Sequence, residues 1–81
     1  MILNVVSAEY AGEYKVKLQF DNGVKKIVDL KETIFNDRRA IFEPLQQKDF
    51  FKNFCVKFNT ITWQNEADFA PEFLYEIGSS L

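Results

Sequence analysis

The sequence has no histidine, one cysteine, three glycines and two prolines. Without histidine there is no Ser-His-Asp or Cys-His arrangement, no histidine zinc ligand, and no side chain that ordinarily shuttles protons near neutral pH. The single cysteine, Cys55, can neither close an internal disulfide nor build a cysteine metal cluster, which fits a reducing compartment. Gly12, Gly23 and Gly78 are too scattered to form a loop that cradles phosphate. A surplus of positive charge is also missing. Ten Lys and Arg stand against twelve Asp and Glu, for a formal net charge of −2 and a pI near 5.0, whereas a domain that binds nucleic acid unaided usually carries a basic excess. No apolar run approaches the roughly 20 residues of a membrane span. The opening residues 1–6 lack a basic region and soon meet Glu9 and Glu13, so the chain is expected to begin at Met1 with a strand and no signal peptide. The expectation is a cytoplasmic protein with no membrane partner, no cofactor and no metal.

What is present is the material of one globular domain over residues 1–81, with 47% hydrophobic and 27% charged residues. Residues 14–20 alternate strictly, with Tyr14, Val16, Leu18 and Phe20 on one face and Lys15, Lys17 and Gln19 on the other, as in a half-buried strand. Asp21-Asn22-Gly23 then turns the chain, and 24–30 returns. A two-residue turn at Asn22-Gly23 would point Val24, Val28 and Leu30 away from the core. A three-residue loop with Gly23 left-handed pairs Phe20 with Val24, Val16 with Val28 and Tyr14 with Leu30, and leaves only Lys26 facing Leu18. A further strand over 2–8 is expected to join this hairpin through Ala11-Gly12-Glu13.

A second hairpin is written in Phe54, Val56 and Phe58, followed by Ile61 and Trp63. Closure at Asn59-Thr60 would pair Phe58 with Ile61 and Val56 with Trp63 on one core-facing side, although Thr is a poor residue for positive φ. Between the hairpins, Ile34, Ile41, Phe42 and Leu45 read as two short helical pieces, with Pro44 admissible only in a first turn. A turn over 48–53 gathers Phe50, Phe51 and Phe54. The last helix should begin at Pro71 and stop before Gly78, leaving Ser79-Ser80-Leu81 frayed. The fold class is therefore α+β: a small antiparallel sheet of about five strands in two hairpin groups, with two to three short helices.

Asp68, Glu72 and Glu76 are spaced by four and would share a helix face, where carboxylates can bind a divalent cation or divide acid and base roles. Pro71 puts Asp68 ahead of the helix, where it can instead cap free N–H groups. Capping and a solvated face carry the most weight, partner contact less, and metal or catalysis the least. Arg38-Arg39, in the loop between the helical pieces, could grip a phosphate or a partner carboxylate, although a solvated loop tip is the plainer reading. The nine Phe read first as core, and any left exposed as protein contact. Cys55 reads as structural or incidental.

The succession Trp63-Gln64-Asn65-Glu66-Ala67-Asp68-Phe69-Ala70-Pro71-Glu72-Phe73-Leu74-Tyr75 resembles the W-x-N-x-x-D-(aliphatic)-x-P-x-x-L-Y ending of a small bacterial family, domain of unknown function 2442. Phe20-Asp21-Asn22-Gly23 and Val28-Asp29-Leu30 resemble its F-x-(D/N)-G turn and V-D-L segment, and Phe42, Leu45 and Phe51 its F-x-x-L and later F. This sequence departs at Gln64, often Pro there, at Glu66, often Gly, and at Phe69, usually aliphatic. The resemblance implies an α+β fold and no established catalytic residue. It also implies gene neighbourhoods with other small proteins, some of them toxin-antitoxin-like, and, in some longer relatives, fusion to a helix-turn-helix DNA-binding domain, for which these residues have no counterpart.

The functional expectation is a non-enzymatic interaction or regulatory module, antitoxin-like in a two-gene operon. Its partner would be another small protein encoded next door, or a second copy in a homodimer. Asp68, Glu72, Glu76, Arg38 and Arg39 form the candidate partner surface. The alternative is a dimeric DNA-binding transcriptional regulator using Lys15, Lys17, Lys25 and the two arginines, against which the acidic balance of the isolated chain argues. An enzymatic reading would lean on Asp29, Asp68 or Glu72 and has least support.

Overall fold

Alternating apolar residues need a surface to cover them, and in the computed structural model, which describes residues 2–81, one sheet face supplies it. Strands β1 (Val5–Tyr10), β2 (Lys15–Phe20) and β3 (Lys25–Asp29) form an antiparallel meander. Val16, Leu18, Phe20 and Val28 point to the covered side and are fully or almost fully buried, while Lys15, Lys17 and Lys25 lie on the open side. The expected register holds: Val16 pairs with Val28 and Leu18 with Lys26, and Phe20 N–H donates to Val24 O at 2.9 Å. Gly23 has φ +85°, as the three-residue loop requires. Gly23→Val should cost about 1–2 kcal/mol, because a β-branched residue resists the left-handed region. Thermal unfolding of that variant checks this, and an unchanged midpoint would contradict it.

The first strand starts three residues later than expected, and Ile2 is left exposed. A bulge between Val5 and Ser7 sends both Val5 and Ala8 toward the core although they are three apart, which a regular strand cannot do.

Beyond the meander come α1 (Lys31–Asn36), a 3-10 helix (Ala40–Gln46), α2 (Lys48–Phe51), the hairpin β4 (Cys55–Lys57) and β5 (Thr60–Thr62), α3 (Pro71–Ile77), and β6 (Ser79–Ser80). The four-stranded sheet runs β1-β2-β3-β6, and β4-β5 forms a separate two-stranded sheet. The core joins Ile34, Phe42, Leu45, Phe51, Ile61, Trp63, Phe69 and Leu74 to the inner face of the larger sheet. Among the described residues no helix is long and apolar enough to cross a membrane.

Three sequence expectations are corrected. Pro44 is the fifth residue of the 3-10 helix, not part of a first turn. The second hairpin closes at Phe58-Asn59, both at positive φ, so Lys57 pairs with Thr60 and Val56 with Ile61. Asn59 tolerates the left-handed region and Thr60 does not, and Thr60 serves better in β5, where its hydroxyl donates to Phe69 O at 2.5 Å. Phe58 sits in the turn and is exposed, Val56 is also exposed at the hairpin although it pairs with buried Ile61, and Trp63, though buried, packs on Phe51, Phe54 and Phe69 and is not paired with Val56. Finally, Ser79 and Ser80 do not fray. They pair with Ile27 and Lys26 along the free side of β3, whose backbone groups would otherwise lack partners.

Candidate functional site

Pro44 has no N–H, so the 3-10 pattern leaves Ile41 O without its usual donor. The side chain of Asn65, 24 residues away, fills that place: its Nδ2 donates to Ile41 O at 2.7 Å while its Oδ1 accepts from Ala67 N–H at 3.1 Å. Two further bonds tighten the loop, Trp63 N–H to Ala67 O and Glu66 N–H to Trp63 O, both 2.9 Å. Beyond it, Thr62 and Asp68 form an isolated antiparallel bridge. Residues 64–70 thus make a rib fixed to the 3-10 helix on one side and to β5 on the other. Glu66 adopts φ +69° there, the position at which the resemblance places Gly, at a cost of about 1–2 kcal/mol.

Along the rib Ala67 and Phe69 are buried, and Glu66, Asp68 and Ala70 are exposed. This alternation delivers two carboxylates to the edge of a hollow of about 520 Å³, lined also by Thr33, Asp37, Arg39, Ile41, Phe42, Phe69 and Phe73. Its floor is aromatic: Phe42 stacks on Phe69 at 5.0 Å between centroids, and Phe69 on Phe73 at 6.0 Å, with interplanar angles of 23° and 24°. On the other side of the rib a second hollow of about 490 Å³ lies between Phe58, Lys57, Cys55 and the same Glu66 and Asp68.

Arg39 lines the first hollow beside Phe42. Its guanidinium lies 4.7 Å from the Phe42 ring centroid and donates to both carboxylate oxygens of Asp37, at 2.7 Å from the terminal nitrogen to Oδ2 and 3.0 Å from Nε to Oδ1. These bonds hold the Asp37 carboxyl below the usual aspartate range and push Arg39 higher still. Glu66 and Asp68 have no such partner: among the described residues neither lies within ion-pair distance of a Lys or Arg.

The structure therefore brings Asp68 and Arg39 to one hollow and leaves Arg38, Glu72 and Glu76 out of its lining. Arg38 borders a separate shallow depression with Phe35 and Glu43. Glu72 and Glu76 are exposed on α3, but Asp68 is not on that helix and does not cap it; Ala70 occupies the cap position, with no side-chain bond. As Pro71 indicated, Asp68 lies ahead of the helix, so the three carboxylates share no helix face; the expected Asp68 cap is corrected, because the bridge to Thr62 holds residue 68 three residues before the helix begins. Among the described residues no group of three or more His, Cys, Asp or Glu could hold a metal ion.

Sequence reasoning passed over Asn65, Asp37 and the ring series of Phe42, Phe69 and Phe73. The signal for Asn65 was available in Pro44, since a proline inside a helical turn always leaves a carbonyl for something else to satisfy.

Comparison with curated proteins and comparison with solved structures each found no match. The rib, the aromatic floor and the meander all fall within residues 5–79, which match the family described as Protein of unknown function (DUF2442), and the chain belongs to that family.

Proposed function

We propose that this chain is a non-catalytic protein-interaction module that receives a segment of a partner protein in the hollow between the 3-10 helix and the rib, acting as the antitoxin-like half of a two-gene pair. The observation that carries this reading is the hollow itself: an open groove with an apolar aromatic floor and a charged rim, assembled from segments that long-range hydrogen bonds hold in place. Preformed apolar surface with a few placed charges is what a docking partner needs, because little order must be created on binding. Co-expression with the product of the adjacent open reading frame tests it. A complex should co-purify, and Asp68→Lys should weaken it by about tenfold or more with an unchanged melting curve. An equally tight complex with Asp68→Lys would remove the groove from the interface, and the absence of any complex would remove the operon partner.

The DNA-binding alternative draws less support from the charges. Lys15 and Lys17 on the open sheet face sit directly across from Asp29 and Glu9, and Arg39 is already neutralised by Asp37. Phosphate binding requires a run of positive charge that these pairs interrupt. Duplex DNA should be left unretarded in a gel at physiological salt, and salt-resistant, sequence-dependent retardation would favour the alternative.

A further inference from the structure

The three stacked rings of the groove carry a cation at one end only. Over Phe42 lies the guanidinium of Arg39, gripped from the side by the Asp37 carboxylate, so this surface accepts a guanidinium on a ring face when a carboxylate holds it there. The same lining holds a second set of these ingredients, a ring and carboxylates without a cation. Phe73 is only partly buried, and Glu66 and Asp68 are exposed on the same hollow with no Lys or Arg of the described residues paired to them. Asp37, Glu66 and Asp68 against Arg39 leave this lining with an excess of two negative charges.

We infer that the partner segment presents an arginine to this groove, its guanidinium against Phe73 and within reach of the Glu66 and Asp68 carboxylates. This rests on the reading of the hollow as a protein-docking site and specifies what docks. Arginine suits it better than lysine because its planar head stacks on a ring and donates in a fork to carboxylates at once, as Arg39 does beside it. A hollow of about 520 Å³ has room for neighbouring apolar side chains on the Ile41, Phe42 and Phe69 side as well. An Arg flanked by leucines is the simplest sequence of that description.

Amide chemical-shift titration of the full chain with three capped pentapeptides, Ala-Leu-Xaa-Leu-Ala with Arg, citrulline or Glu at the centre, tests the inference. The Arg peptide should move the amides of Glu66, Asp68 and Phe73. Citrulline, which keeps the shape and loses the charge, should bind about tenfold more weakly or worse. Asp68→Asn should lower affinity for the Arg peptide several-fold and leave that for citrulline unchanged. Equal binding of the Arg and citrulline peptides, or tighter binding of the Glu peptide, overturns the cation and leaves the docking groove standing. Failure of every peptide to move those amides overturns both. A sedimentation measurement covers the remaining occupant: a dimer that Arg38→Glu dissociates, with the groove amides shifting as it does so, makes a second copy the source of the arginine and overturns the partner segment.

Discussion

Trp63→Ala is expected to lose most of the protein's folded population. The indole is 2% exposed and sits among Phe51, Phe54 and Phe69 at centroid distances of 5.7, 6.2 and 5.9 Å. Its Nε1–H donates to Phe51 O at 2.7 Å. Truncation removes the ring, leaves a cavity whose aromatic walls are held by their own contacts, and strips a buried carbonyl of its donor, for a cost of about 3–5 kcal/mol. A domain this small has a total stability near the lower end of the usual range of about 5–15 kcal/mol. Circular dichroism should therefore report a largely unfolded chain at temperatures where the parent is folded. Trp63→Phe separates the two contributions: it keeps most of the packing and loses the N–H, so about 1–3 kcal/mol is expected. A Trp63→Ala variant that melted within a few degrees of the parent would show that the wall of the core beside the rib collapses easily, contrary to the packing described.

The second large effect is expected at a glycine that does not use its conformational freedom. Gly78 ends α3 at φ −73°, an ordinary value, yet a Cβ placed there would lie 3.0 Å from Leu74 O and 3.0 Å from Lys26 Cβ. One obstacle is helix backbone and the other belongs to β3, so neither can retreat without moving its element. Gly78→Val should cost in the upper part of the usual overpacking range of about 1–3 kcal/mol. It should also disturb what the close approach permits: pairing of β6 with Lys26 and Ile27, and the bond from Lys26 Nζ to Tyr75 O at 2.6 Å, which caps the carbonyl end of α3. Urea unfolding measures the loss, and faster amide exchange at Leu81, whose N–H donates to Lys25 O, reports the detached strand. A stability unchanged by the substitution would mean that α3 can stand off from the sheet at no cost.

Lys26 links these results to the sequence. Alternation assigned it to the core side of β3, opposite Leu18, where a charge is out of place. The structure keeps it there, partly buried, with its ammonium over the Tyr75 ring at 4.0 Å and bonded to the helix end. The local rule was right about the position, and a contact 49 residues away in the chain supplied what makes it tolerable.

The same division runs through the whole molecule. Periodicity, turn chemistry and the punctuation at Pro71 and Gly78 determined the central hairpin and its register, the bounds of the last helix, the burial of Trp63 and the α+β class, because each depends on residues within a few positions of one another. The second hairpin was not legible in that way. Closure at Asn59-Thr60 or at Phe58-Asn59 satisfies the local apolar alternation about equally, and the choice falls to remote partners: Val5 N–H donating to Asn59 O, and the Thr60 hydroxyl bonded to Phe69 O. Nor was the groove legible. Its rib is set by Asn65 on the carbonyl that Pro44 leaves free, and its floor by rings from the 3-10 helix, the rib and α3, which bring Glu66 and Asp68 to the same hollow as the local pair of Asp37 and Arg39. Hydrogen-bond satisfaction and ring packing between distant segments have no period along the chain, so tertiary structure alone could decide them.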